Sequence, residues 1–321
     1  MDVPTAGVGR VVVVSEIKVS VQAEPRDLDS WLSLSRQLES SGFYALLMGD
    51  HPGSGAAPWP ALGAAAAVTR TLRLGTYVLQ AGVREPVHAA SDAATLDILA
   101  PGRVLLGLGA GHTFREWEET GRQRPAPVDR AGRLVEFVHA VAQLLDGETV
   151  TIDGRYLRLV EARLEGLPVG GRRVGLVVGG GNRGVLQVAA ACADVVGLSG
   201  LGRTLPDGQR HQVRWTGADL HQQLRLVQQE AQRAGNAPEL EALVQAVIVT
   251  GDRSGSIEEL AGRLTGASAE DVAETPFVLI GTVEEMAAQM RRQAEELHIT
   301  RYVVRESAVE AMAAVLALLS D

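Results

Sequence analysis

"VVGGGNRGVLQVAA", residues 177–190, sets a run of glycines between an apolar, β-branched strand pattern and a helical one. Gly179, Gly181 and Gly184 give the G-x-G-x-x-G spacing that brings a pyrophosphate onto a helix N-terminus in dinucleotide-binding folds. Such a fold also needs an acidic residue at the end of the next strand, to hold a ribose. The next strand pattern, "DVVGLS" (194–199), ends instead in Leu198-Ser199. The glycine run also falls mid-chain, after four strand–helix units. Both features reject the dinucleotide fold. The anion chemistry survives, because backbone N–H groups of Gly180 to Gly184 at a helix start favour a phosphate, with Arg183 as a mobile cation. The plain alternative is a tight βα turn, but three consecutive glycines exceed what such a turn needs.

Working outward, strand and helix patterns alternate nearly throughout. The strands are expected at Arg10–Val14, Phe43–Met48, Leu72–Leu79, Arg103–Leu108, Val174–Val178, Val195–Leu198, Leu243–Val249 and Arg301–Val304. Helices are expected at Asp27–Ser41, Trp59–Thr69, Pro86–Leu99, Val128–Leu145, Gly184–Ala193, Thr216–Ala234, Thr282–Leu297 and Ser307–Leu319. This repeat predicts an α/β fold of the (β/α)8 TIM-barrel type, one domain over 1–321, against a doubly wound sheet as the alternative. Three stretches are insertions. Glu148–Leu159 reads as a hairpin with a tight Asp153-Gly154 turn. Gly200–Trp215 and Thr250–Pro276 leave the C-terminal ends of strands, where barrel active sites lie. The barrel places Asp50, Tyr77, Gly109 and Gly180 at one end.

Composition narrows the class. The net charge of −9 argues against nucleic acid and anionic membranes as partners. No apolar run is long enough to span a bilayer, and the N-terminal residues lack a signal-peptide pattern. A single cysteine, Cys192, excludes an internal disulfide and fits a reducing cytoplasm. Lys18 is the only lysine, a bias typical of GC-rich actinobacterial genomes. The histidines show no metal spacing, so no metal site is expected. There is no Gly-Lys pair for a P-loop, and "GLSGLG" departs from G-x-S-x-G at Leu201.

A second glycine stretch, "LLGLGAGHTFREWEETG" (105–121), fails the dinucleotide spacing because His112 takes the sixth position. Arg115–Glu119 reads as a helix start whose charges form a solvated face. Asp50-His51 follows the second strand at the barrel mouth. His51 titrates near neutrality and suits proton transfer, while Asp50 either bonds a ligand or orients the imidazole. The plain alternative is a loop cap beside a solvated histidine.

Taken in order, "LLMGDH", "TLRLGTYVLQAGVREPV", "AASDAATLDILAPGRVLLGLGAGHTFREWEETG", "RAGRLVEFVHAVAQLLDGETVTIDGRYLRL", "VGLVVGGGNRGVLQVAAACADVVGLS" and "LIGTVEEMAAQMRR" resemble the luciferase-like flavin-dependent oxidoreductases. Within them the chain looks most like the actinobacterial branch that uses the deazaflavin coenzyme F420. The resemblance implies a barrel with insertions, commonly a homodimer, acting on a small organic molecule. It implies catalytic roles for Asp50, His51 and His112. It implies a cofactor site at Asp50, Thr76, Tyr77, Val78, Gly109, Ala110, Gly111, Gly179, Gly180, Gly181, Asn182, Arg183, Gly184, Leu198 and Ser199. It also implies a cis Tyr77–Val78 peptide behind the cofactor ring, and glycines after the fourth strand that let flat rings approach. One departure stands out. His112 replaces the catalytic glutamate of the family's sugar-phosphate dehydrogenases, which puts that substrate class in doubt. The expected chemistry is hydride transfer between F420 and a C=C or C=N. The alternatives are an FMN-dependent monooxygenase and a non-catalytic flavin-binding barrel.

Overall fold

A computed structural model describes residues 16–167, 169–170, 174–204 and 211–320. Eight strands, β1 (Lys18–Gln22), β2 (Ala45–Met48), β3 (Arg73–Gln80), β4 (Val104–Gly109), β5 (Gly175–Gly179), β6 (Val195–Leu198), β7 (Glu239–Leu243) and β8 (Ile299–Arg305), close into a barrel. They follow one another around it in chain order, each parallel to both neighbours. The alternation of each strand divides its residues between two cores. Ala45, Leu47, Tyr77, Leu105, Val177, Val195, Leu243 and Val303 meet inside the barrel. Leu46, Met48, Leu74, Leu106 and Val304 pack outward against the helices.

Most expected elements are found within a residue or two. Helix Pro86–Leu99 matches its expectation, with Pro86 at the first turn where a missing N–H costs nothing. Two strands differ. The expected Arg10–Val14 lies outside the described residues, and the first barrel strand is Lys18–Gln22. The expected Leu243–Val249 is split: Glu239–Leu243 closes the barrel, while Ala246–Val249 pairs in parallel with Val278–Gly281 outside it. The reason is polar. β7 carries Glu241 into the interior, where its carboxylate accepts from Arg301 Nε at 3.1 Å. The hairpin forms from Val150–Asp153 and Arg158–Ala162, but Asp153 pairs with Arg158, so the turn has four residues rather than two. The Glu136 carboxylate explains this, accepting from the backbone N–H groups of Arg155, Tyr156 and Leu157.

Candidate functional site

The C-terminal ends of the strands surround a cavity of about 1040 Å³. Asp50, Tyr77, Gly109 and Gly180 all line it, at the one end expected. β1 contributes Gln22, β7 leads to Gln245, and β8 contributes Arg305. Leu201 and Val213 lie in a short antiparallel pair, Leu201–Thr204 with His211–Val213, and form part of the rim.

The wall at β3 is irregular. Thr76 pairs with Leu106 and Leu79 with Leu108, so Tyr77 and Val78 together oppose Gly107 in a bulge. The Tyr77–Val78 peptide bond is cis. Gln22 Nε2 donates to the Tyr77 carbonyl at 2.5 Å, which fixes the bulge to β1. The bulge also explains several glycines. A Cβ on Gly107 would lie 2.1 Å from the Thr76 carbonyl oxygen, and one on Gly109 2.3 Å from Val78 Cγ2. Gly111 has φ +73° and faces Gln80. These glycines are therefore required by the protein's own packing, whereas the sequence suggested room for a cofactor ring. Gly181 is different. A Cβ there would meet only the Leu201 carbonyl oxygen, at 3.4 Å, so nothing else crowds that position on the cavity wall.

Asp50 is buried, 3% exposed, directly after β2. Its Oδ1 accepts from Arg84 Nη2 at 2.7 Å, and its Oδ2 from Arg84 Nε and the Gln80 backbone N–H, both at 3.1 Å. This two-pronged pair ties the loop after β2 to the loop after β3 and raises the Arg84 pKa through the hydrogen bond. Asp50 thus holds its loop; it is not the group that orients the imidazole. That group is Glu116, whose Oε1 lies 2.6 Å from His51 Nδ1. Glu116 Oε2 accepts from Gln80 Nε2.

Glu116 sits in the short helix Phe114–Glu119 and is 2% exposed, so this part of the expected solvated face is buried. Trp117 explains the inward turn. Its ring lies where a Cβ on Gly82 would be, 2.2 Å from Trp117 Cζ2, so only glycine lets the helix dock. The hydrogen bond that His51 donates to Glu116 raises the His51 pKa, against the opposing effect of burial; the charges of Glu116, Glu24 and Asp50 raise it further. Nε2 of His51 has no hydrogen-bond partner among the described residues. The His112 ring stands edge-on to that of His51, centroids 6.1 Å apart.

On the opposite wall, Gly179, Gly180, Gly181 and Asn182 line the cavity at the start of helix Arg183–Cys192. Asn182 caps that helix by accepting from the Gly184 N–H at 2.9 Å. Arg183 is exposed, and neither it nor Gly184 belongs to the lining. Thr76 and Leu198 also lie outside it. The Thr76 hydroxyl donates to the Gly107 carbonyl at 2.9 Å, and Leu198 belongs to the outer core. Val78, Ala110, Gly111 and Ser199 line the cavity as expected. The sequence reading missed Gln22, Gln80, Arg84, Glu116, Arg130 and Arg305. Arg130 is buried and donates to the Gly111 and Pro125 carbonyls; desolvation and the charge of Arg124 push its pKa down to about 10. Among the described residues, no group of three His, Cys, Asp or Glu is placed to hold a metal ion. No helix of these residues is long and apolar enough to cross a membrane.

An F420-dependent glucose-6-phosphate dehydrogenase from Beutenbergia cavernae is 38% identical over 155 residues, 46% of this chain and 45% of the relative. The chain thus spans about half the length of the relatives it matches. An F420-dependent secondary alcohol dehydrogenase, solved with an F420–acetone adduct, superposes with TM-score 0.70 at 21% identity, covering 94% of this chain and 99% of the other. A long-chain alkane monooxygenase superposes with TM-score 0.71 at 15% identity, covering 95% and 91%. At these identities the two structures share the barrel fold with this chain, and the fold alone does not separate their chemistries. The family profile described as luciferase-like monooxygenase matches residues 10–301, and the chain belongs to that family.

Proposed function

We propose that this protein is an F420-dependent oxidoreductase that reduces a C=C or C=N of a small organic molecule. The observation that carries the reading is the His51–Glu116 pair at the cavity wall, beside the Tyr77–Val78 bulge and opposite the glycine cradle. The names of the relatives that match half of the chain support the choice of F420.

The residues present fit such a cofactor. Gly179 to Asn182 open onto the cavity at a helix N-terminus, a favourable place for a phosphate. The buried Oε1 atoms of Gln22 and Gln80 have no hydrogen-bond partner among the described residues and suit ring N–H or hydroxyl donors. Val78 and Gly109 supply an apolar bed. When bound, the reduced deazaflavin supplies a hydride.

The chain's own task is the proton. Glu116 fixes the imidazole through Nδ1, stabilises its protonated form, and leaves the Nε2 proton to be given up. Asp50 and Arg84 hold the loop from which His51 projects. His112 is the second candidate donor, edge-on to His51. The family resemblance further carries the reading of a homodimer, and the single Cys192 that of a cytoplasmic enzyme.

The test is an absorbance titration of the purified chain with F420 and with FMN. F420 is expected to bind at least tenfold more tightly. Gly181→Val places methyl groups on the cavity wall and is expected to weaken F420 at least tenfold while the thermal midpoint stays unchanged. Tighter binding of FMN, or full F420 affinity in Gly181→Val, contradicts the proposal.

A further inference from the structure

Within β8, Arg301, Val303 and Arg305 share one face of the strand, the face turned into the barrel. The two arginines meet different surroundings. Arg301 is buried and ion-paired with Glu241 at 3.1 Å and Glu239 at 3.6 Å. Arg305, at the cavity end, has no hydrogen-bond or ion-pair partner among the described residues. The other arginines on the cavity wall are engaged: Arg130 with two backbone carbonyls, Arg263 with Glu259.

Arg305 also stands at a junction. A side hollow of about 370 Å³ adjoins the main cavity, and the residues common to both are Gln22, His51 and Arg305. Gln22 and Arg305 are register partners at the ends of β1 and β8. The remaining charges of the side hollow do not neutralise Arg305. Glu306 pairs with Arg26 at 2.7 Å, and Glu24 makes no ion pair with Arg305. Surrounding protein atoms push the Arg305 pKa down by desolvation. Arg305 itself stays exposed to solvent, so its guanidinium is open to an anion entering from the cavity.

We propose that Arg305 is a specificity-determining residue that receives the carboxylate of an organic acid substrate and thereby sets its reactive bond beside His51. The planar guanidinium fork matches a carboxylate in two parallel hydrogen bonds. With Glu306 paired to Arg26 and Glu24 on the same rim, the net positive charge around Arg305 is small, which suits one negative charge rather than the two of a phosphate monoester. This assignment names a substrate class for the reading given above and rests on it for the identity of the reaction.

The probes are crotonate, crotonamide and inorganic phosphate. Crotonate and crotonamide share size and C=C bond and differ in charge. Calorimetric titration is made on the full chain, first alone and then saturated with F420. Crotonate is expected to bind at least tenfold more tightly than crotonamide and than phosphate. Arg305→Gln is expected to abolish that preference while crotonamide affinity changes less than twofold. Arg305→Lys is expected to keep part of it. Equal binding of crotonate and crotonamide by the wild-type chain, or a preference that survives Arg305→Gln, overturns the assignment. Tighter binding of phosphate overturns it in favour of a phosphorylated substrate. A crotonate preference in a chain that does not take up F420 supports the carboxylate site and counts against the cofactor reading alone.

Discussion

In the proposed reaction His51 is the proton donor, and its contact with Glu116 is what suits it to that role. The hydrogen bond to Glu116 raises the imidazole pKa above its usual 6.5, so the proton-bearing form persists to higher pH. Proton donation is therefore retained below the raised value and lost as pH rises through it. The stability supplied by this pair has the same sign: complete below the unfolded value and lost as pH rises through the folded one. His51→Ala is expected to lower turnover by about 10²–10⁴-fold with cofactor affinity largely kept. Glu116→Gln keeps a hydrogen bond but removes the charge, so the alkaline limb of the pH–rate profile moves to lower pH. An unmoved limb would place the proton on another group, His112 first. The placement of Asp50 and His51 on the cavity was legible because the pair directly follows a strand, at the barrel end where the loops gather. Glu116 was not. "REWEE" reads as a solvated helix, and the fact that buries it, the Trp117 ring against Gly82, joins residues 35 apart in sequence.

At the scale of elements, β7 and β8 show how the barrel interior tolerates charge. Burial raises the Glu241 pKa, and the neighbouring Arg301 charge and hydrogen bond pull it back. Removing one partner leaves the other unpaired in the interior. Arg301→Met is expected to cost about 3–5 kcal/mol of unfolding free energy. Adding Glu241→Leu is expected to recover most of that loss, as read by urea denaturation at neutral pH. A double variant no more stable than the single one contradicts a charge-pair origin. The same polarity hid the strand. Glu239 and Glu241 interrupt the apolar pattern of Glu239–Leu243, so the sequence favoured the more apolar Leu243–Val249. β1 was missed for a related reason: in "KVSVQ" only Val19 and Val21 are apolar, and the four valines before it drew the assignment.

At the scale of the whole molecule, barrel and family membership follow from the order of motifs along the chain. The identity of the cofactor rests on finer matters. F420 and FMN share a phosphate and a tricyclic ring, and the proposed glycine cradle would serve both. What separates their enzymes is the fate of the electrons, since reduced deazaflavin reacts poorly with oxygen. The direct measurement is a single turnover of reduced F420 in the full chain, with crotonate as acceptor, followed by the return of oxidised F420 absorbance. It is run anaerobically and in air, with the free FMN-loaded chain in parallel. The account predicts acceptor-dependent oxidation of F420 without oxygen, at a rate that air does not change and that His51→Ala slows at least a hundredfold. Turnover only with FMN and only in air would contradict it, and would make the barrel a monooxygenase.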